Sequence, residues 1–233
     1  MEVRGERECR DCGTRWSYYE TGSVACPSCG SVYSVGHGDR AVHTAGGASL
    51  DLGRARAAVD EEPIDRVAAL AAEAGRDYRL AAGFVDAGEL QPFDDTYLLA
   101  AELETTGREL AGSMRVGHEA EAHLLRLLRA PESDERPGPD SVPPDLQQAR
   151  GLAVARAAGD YHRDLRRVLE DPGPSLSAAL STIRARRKRI EALDGDVDPR
   201  TAERLVGATR DVYAHLVRDD EAALARVDQR FRD

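Results

Sequence analysis

The sequence predicts a mostly α-helical protein, with a small β-hairpin ribbon at its N-terminus and then an antiparallel, coiled-coil-like helical bundle. Three observations carry this. All four cysteines lie near the start, as Cys9-Arg10-Asp11-Cys12 and Cys26-Pro27-Ser28-Cys29. Beyond residue 60 the apolar positions recur at three- and four-residue steps, the period of a helix face. The hydrophobic fraction is 41%, but aromatics contribute only 5%; alanine fills the difference, and alanine favours helices over all other residues.

The ribbon is expected over residues 1–36. Its two C-x2-C pairs have the spacing of a metal knuckle pair. A tetrahedral Zn²⁺ takes four thiolates, and each C-x2-C turn offers two of them from one tight loop. One structural zinc on Cys9, Cys12, Cys26 and Cys29 is therefore expected. Gly13 and Gly30 supply the permissive backbone where each knuckle turns back. Between the knuckles, Thr14–Tyr19 is β-prone, Glu20–Ser23 reads as a turn, and Val24-Ala25 returns, which makes a short hairpin. Strand alternation puts Trp16 and Tyr18 on one face and Arg15, Ser17 and Tyr19 on the other. Trp16 and Tyr18 are expected to cover the metal. Arg15 and Tyr19 are the candidate partner-binding residues.

Residues 37–60 are Gly-rich and aperiodic, and read as a linker. Its histidines, His37 and His43, are expected to be solvated, since four thiolates already close the site.

The bundle is expected over 61–233. Ile64, Val67, Ala71, Ala74, Tyr78, Ala81 and Val85 outline a first helix from about 63 to 86, with Pro63 in its first turn. Phe93, Tyr97, Leu103, Leu110, Met114, Leu124 and Leu128 outline a longer second one, kinked near Gly107, Gly112 or Gly117, with Asp94 and Asp95 at its positive end. Residues 131–144 are Pro- and Gly-rich, and a mobile loop is expected there. The third helix follows Leu146 to Val168 and the fourth runs over 175–193. Asp198 and Pro199 open a fifth as N-cap and N1, and its stripe continues to Phe231.

Other constellations fall short of chemistry. His118 and His123 resemble HExxH but stand at i and i+5, about 140° apart on a helix, so one zinc cannot use both. Asp194, Asp196 and Asp198 imitate a calcium loop, yet Pro199 stands where glycine is needed and Leu205 where a bidentate glutamate is needed. The basic run Arg184–Arg189 wraps round a helix instead of forming one face, and reads as solvated and balanced by carboxylates.

The net charge is −10 and Lys188 is the sole lysine, an acidic, arginine-rich balance like that of salt-adapted proteomes. No apolar run is long enough to span a membrane. The charged N-terminus does not read as a signal peptide, and paired thiols without one point to the cytoplasm.

The pattern Cys9-x2-Cys12-Gly13 … Cys26-Pro27-x-Cys29-Gly30 resembles zinc ribbons of the transcription factor IIB type. Together with the run Arg10–Gly22 and the helical remainder, the chain resembles a haloarchaeal family of uncharacterised proteins with that finger. The resemblance implies Zn²⁺ on the four cysteines. A rubrerythrin-like di-iron protein would need Glu-x-x-His pairs; the residues three before His118, His123, His162 and His215 are Arg115, Ala120, Gly159 and Val212. The expected function is non-enzymatic: a zinc-ribbon module binding an unknown protein or nucleic acid, associated with transcription or RNA, with self-association through helices as an option. The alternative is an enzyme or a structural helical scaffold in which the ribbon is only a staple.

Overall fold

The computed structural model describes residues 2–45, 48–133 and 136–232. It is a small antiparallel sheet followed by helices. β1 (Glu2–Cys9) is the central strand, flanked by β2 (Arg15–Ser17) and β3 (Ser34–Val42). Its inward positions are Val3, Gly5 and Cys9, while Glu2, Arg4 and Glu6 face solvent.

The strand pairing differs from the expected hairpin. β2 pairs with β1 across the first knuckle, not with Val24-Ala25. Tyr18–Thr21 instead form a one-turn helix, α1, closed by Gly22 at φ 61°. An eight-residue β1 offers a longer ladder than two residues at 24–25 can. The expected linker also starts later. Residues 37–42 continue β3 because β1 presents its second edge, and Gly38 at φ 77° sits where the register shifts, a bulge that only glycine enters without strain. Further on, α2 (Gly53–Ala57) and a 3₁₀ turn (Ala58–Asp60) bury Leu52, Ala55 and Ala58. Gly46 and Gly47 lie outside the described residues.

α3 (Ile64–Ala81) starts where expected, with Pro63 as N-cap, but ends at Ala81. Its expected last turn is a hairpin instead, β4 (Val85–Asp86) and β5 (Glu89–Leu90), folded over Ala87 and Gly88 with positive φ. The expected long second helix is two: α4 (Asp95–Gly112), capped by the Asp94 carboxylate accepting from the Tyr97 amide at 2.8 Å, and α5 (His118–Ser133). Met114 falls in the break and is fully exposed. In the segment expected to be a mobile loop, α5 continues to Ser133, 3₁₀ turns occupy Pro139–Ser141 and Pro144–Leu146, and the Arg136 side chain inserts into the bundle. Asp134 and Glu135 lie outside the described residues.

α6 (Gln147–Val168) and α7 (Pro174–Ala192) match their periodicity. α8 (Pro199–Arg218) opens on Asp198, which accepts from the Arg200 amide at 2.7 Å. Asp219, at φ 53°, then breaks the chain, so the end of the expected fifth helix is a separate α9 (Ala223–Gln229).

Among the described residues the helices enclose two apolar cores. One gathers Phe84, Phe93, Tyr97 and Tyr161 with the inner faces of α6, α7 and α8. The other packs α2, α3 and α5 against the opposite face of α4. The seam between α4 and α6 is ionic. Glu102 pairs with Arg150, Glu104 with Arg156 at 3.6 Å, and the Tyr97 hydroxyl donates to Asp160 at 3.0 Å. Arg79 of α3 bridges Glu104 (2.7 Å) and Asp160.

Candidate metal centre

The two knuckles repeat one local geometry. The Cys9 amide donates to Thr14 O (2.9 Å) and the Gly13 amide to Cys9 O (3.1 Å); the Cys26 amide donates to Ser31 O (2.8 Å) and the Gly30 amide to Cys26 O (2.9 Å). Gly13 and Gly30 both sit at φ 74°, a left-handed turn that aims each pair of thiols inward. All four sulfurs lie within 4.8 Å of one another. Cys9 and Cys29 are 3.6 Å apart and Cys12 and Cys26 3.5 Å. A metal–sulfur bond of about 2.3 Å puts the corners of a tetrahedron about 3.8 Å apart. The cluster fits a metal ion.

The protonation of the thiols is compatible with a cation at this position. Hydrogen bonds with the Thr14 side chain and backbone draw Cys12 down to about 6. At Cys29 the Ser31 backbone pulls the same way, but the neighbouring Cys12 sulfur and desolvation drive it up to about 12. One thiolate forms easily and the next is resisted by its charge. A divalent cation removes that conflict.

Cys9 and Cys26 are buried behind Trp16, the three forming the ribbon's small core, while Cys12 and Cys29 face solvent. The Trp16 indole N–H donates to Ser23 O at 3.1 Å. Trp16 therefore covers the cysteine cluster, as expected. Tyr18 and Tyr19 lie on α1, both half-buried. The Tyr18 ring meets His43 edge-on at 5.9 Å.

Arg15 and Tyr19 do not share an exposed face. Arg15 is exposed and pairs with Glu8 at 2.8 Å. The Tyr19 ring covers Gly5, where any Cβ would collide with it. Its hydroxyl donates to Val3 O at 3.0 Å, and its other side meets His43, centroids 4.9 Å apart. His43, expected to be solvated, is buried; its Nδ1 accepts from the Ala87 amide (3.3 Å) beside Asp86 (3.2 Å). His37 remains at the surface beside Glu8.

Sequence reasoning missed two groups. Val24, Val32 and Tyr33 around the second knuckle are exposed, Tyr33 to 72%. The alternation Ser31-Val32-Tyr33-Ser34 was the available signal. The other group is the buried set Glu102, His123, Arg150 and Arg136. Glu102 and His123 are wholly buried and 3.1 Å apart, and Arg150 and Arg136 both also reach Glu203, at 2.7 and 2.6 Å. No spacing rule in the sequence marks it.

The model of a family of unknown function, DUF7117, matches residues 1–231. The chain belongs to this family. No curated protein and no solved structure matches it. The match spans the cysteine-bearing sheet and the helices together. Among the described residues no helix is long and apolar enough to cross a membrane.

Proposed function

We propose that the protein is a non-enzymatic zinc-ribbon interaction module, in which one structural Zn²⁺ on Cys9, Cys12, Cys26 and Cys29 holds the N-terminal sheet and the second knuckle meets a macromolecular partner. The observation that carries this reading is the exposure of Val24, Val32 and Tyr33 on a unit with so little core. A ribbon needing every apolar side chain for its own stability would bury Tyr33 as it buries Trp16; exposed aromatic surface of this kind marks contact sites. Arg10, also exposed, is backbone-paired to Tyr33, its amide donating to Tyr33 O at 2.8 Å. The ribbon's likeness to the transcription factor IIB type makes polymerase, nucleic acid or ribosome the first partners to test. The acidic, arginine-rich composition and paired thiols support a reducing, high-salt cytoplasm as the setting.

The buried set at Glu102 supports the same reading. Its carboxylate oxygens are taken by His123, Arg150 and Arg136, and with Glu102 and His123 wholly buried no substrate reaches them in this conformation. Its role is cohesion.

The test is affinity capture of tagged protein from its own host at native salt, comparing wild type with Val32→Ser/Tyr33→Ala, alongside elemental analysis. The expected result is one zinc per chain in both proteins, with polymerase, nucleic acid or ribosome recovered by the wild type alone. Equal recovery by both, or recovery of none of these, overturns the contact surface. An iron-loaded protein overturns the zinc assignment.

A further inference from the structure

We infer that the cleft between the C-terminal half of α6 and the start of α7 is a binding site for a small organic phosphate. It is about 420 Å³ in volume and is lined by His162, Arg166, Ser177, Ser181 and Arg184 over a floor that includes Leu169 and Leu180. That volume lies in the range of small-ligand pockets, and the lining is more polar than apolar, which suits a charged ligand.

Charge is the deciding observation. The chain carries −10 overall, and around this cleft Arg163 pairs with Asp160, Arg167 with Asp164 and Arg187 with Glu191. Among the described residues, Arg166 and Arg184 have no such partner. The basic run that reads in sequence as balanced is therefore not balanced on this side. The two arginines flank the half-buried His162, whose pKa is lowered by burial and by the nearby charges of Arg166, Arg187 and Arg184. A neutral imidazole between unpaired guanidiniums describes a site short of one anion.

Guanidinium groups present planar forks of N–H donors that match phosphate oxygens two at a time. Here one fork comes from each helix, the exposed Ser181 adds a hydroxyl, and the imidazole and leucines give a face for an apolar or heterocyclic group. A long polyanion fits less well, because the exposed Glu170 carboxylate also lines the cleft. A compact phosphate monoester avoids it.

The test is calorimetric titration of the full, metal-loaded chain with adenosine monophosphate, inorganic phosphate, adenosine and a single-stranded RNA oligomer. Arg166→Ala, Arg184→Ala and Arg189→Ala are compared with wild type. All three side chains are exposed, so folding is retained, and Arg189 lines a different cleft. Saturable binding of adenosine monophosphate, with a shift of the His162 ring resonances, is expected. It should weaken roughly tenfold or more with Arg166→Ala or Arg184→Ala, the scale of one charge-assisted hydrogen bond, and be unchanged in Arg189→Ala. No saturable binding of either phosphate, equal binding of adenosine, or insensitivity to Arg166 and Arg184 overturns the site. Binding of RNA alone, weakened equally by all three substitutions, overturns it in favour of an extended nucleic-acid face.

Discussion

Glu102 is wholly buried yet ionised. Burial alone would raise its pKa, but Arg150, the hydrogen bond from His123 and Arg136 together hold it at about 2, against an ordinary 4.5. The folded pKa lies below the unfolded one, so between those values the unfolded chain binds the extra proton. The stabilisation is complete above about pH 4.5 and is lost as pH falls towards 2, a swing of about 3 kcal/mol. In urea titrations followed by helical signal, wild type should lose that much more stability than Glu102→Gln on going from pH 6 to pH 2.5. Glu102→Gln should itself cost about 3–5 kcal/mol at pH 6, because among the described residues the buried Arg150 then keeps one carboxylate partner, the partly exposed Glu203, besides the Pro137 carbonyl. Equal pH slopes for the two proteins would show that Glu102 is not held ionised by its neighbours.

At the scale of elements, α3 and α4 lie close enough that two glycines form the contact. A Cβ on Gly75 would strike Ala100 O, and one on Gly107 would strike Ala68 O and come within 2.9 Å of Ala72 Cβ. Gly107→Ala gains about 1 kcal/mol of helix propensity but forces the helices apart, and overpacking of this kind costs about 1–3 kcal/mol. The expected outcome is a lower Tm, whereas Gly112→Ala on the same helix, with nothing within 4 Å of its Cβ, should hold or raise it. A Gly107→Ala protein as stable as wild type would mean the helices can separate freely. Such contacts also explain what the sequence reveals. Helical periodicity locates α3, α6, α7 and α8 because their buried stripes are apolar. It misses β1, whose inward positions include a glycine sitting beneath Tyr19 and whose other face is charged. It merges α4 with α5 because Leu110 and Leu124 keep a common period across the break at Ser113–Gly117. The metal knuckles are legible since cysteine spacing is itself the chemistry. The Glu102 set is hidden because a buried glutamate and a solvated one read alike.

At the scale of the whole molecule, the ribbon is stitched to the bundle where a free linker is expected. The Thr44 hydroxyl donates to Asp164 of α6 at 2.6 Å and accepts from the Val85 amide at 3.1 Å, while the Thr44 and Ala45 amides both donate to Val85 O at 2.8 Å. Asp164 also accepts from the Phe84 amide at 3.0 Å. This joint and the four-cysteine cluster are separate devices, so they should fail separately. Cys26→Ser removes one of the four thiols; a structural zinc held there, as proposed, would contribute on the order of 10 kcal/mol to so small a unit, and bound metal and the order of residues 2–36 should be lost while the helices, with two cores of their own, persist. Asp164→Ala strands the Thr44 hydroxyl and the buried Phe84 N–H, each at about 1–3 kcal/mol. Metal content should stay at wild-type level while hydrogen exchange quickens at residues 44–45 and 84–85. Cooperative loss of total helicity in Cys26→Ser would show instead that the sheet is required for the bundle, and loss of metal in Asp164→Ala that the joint shapes the site.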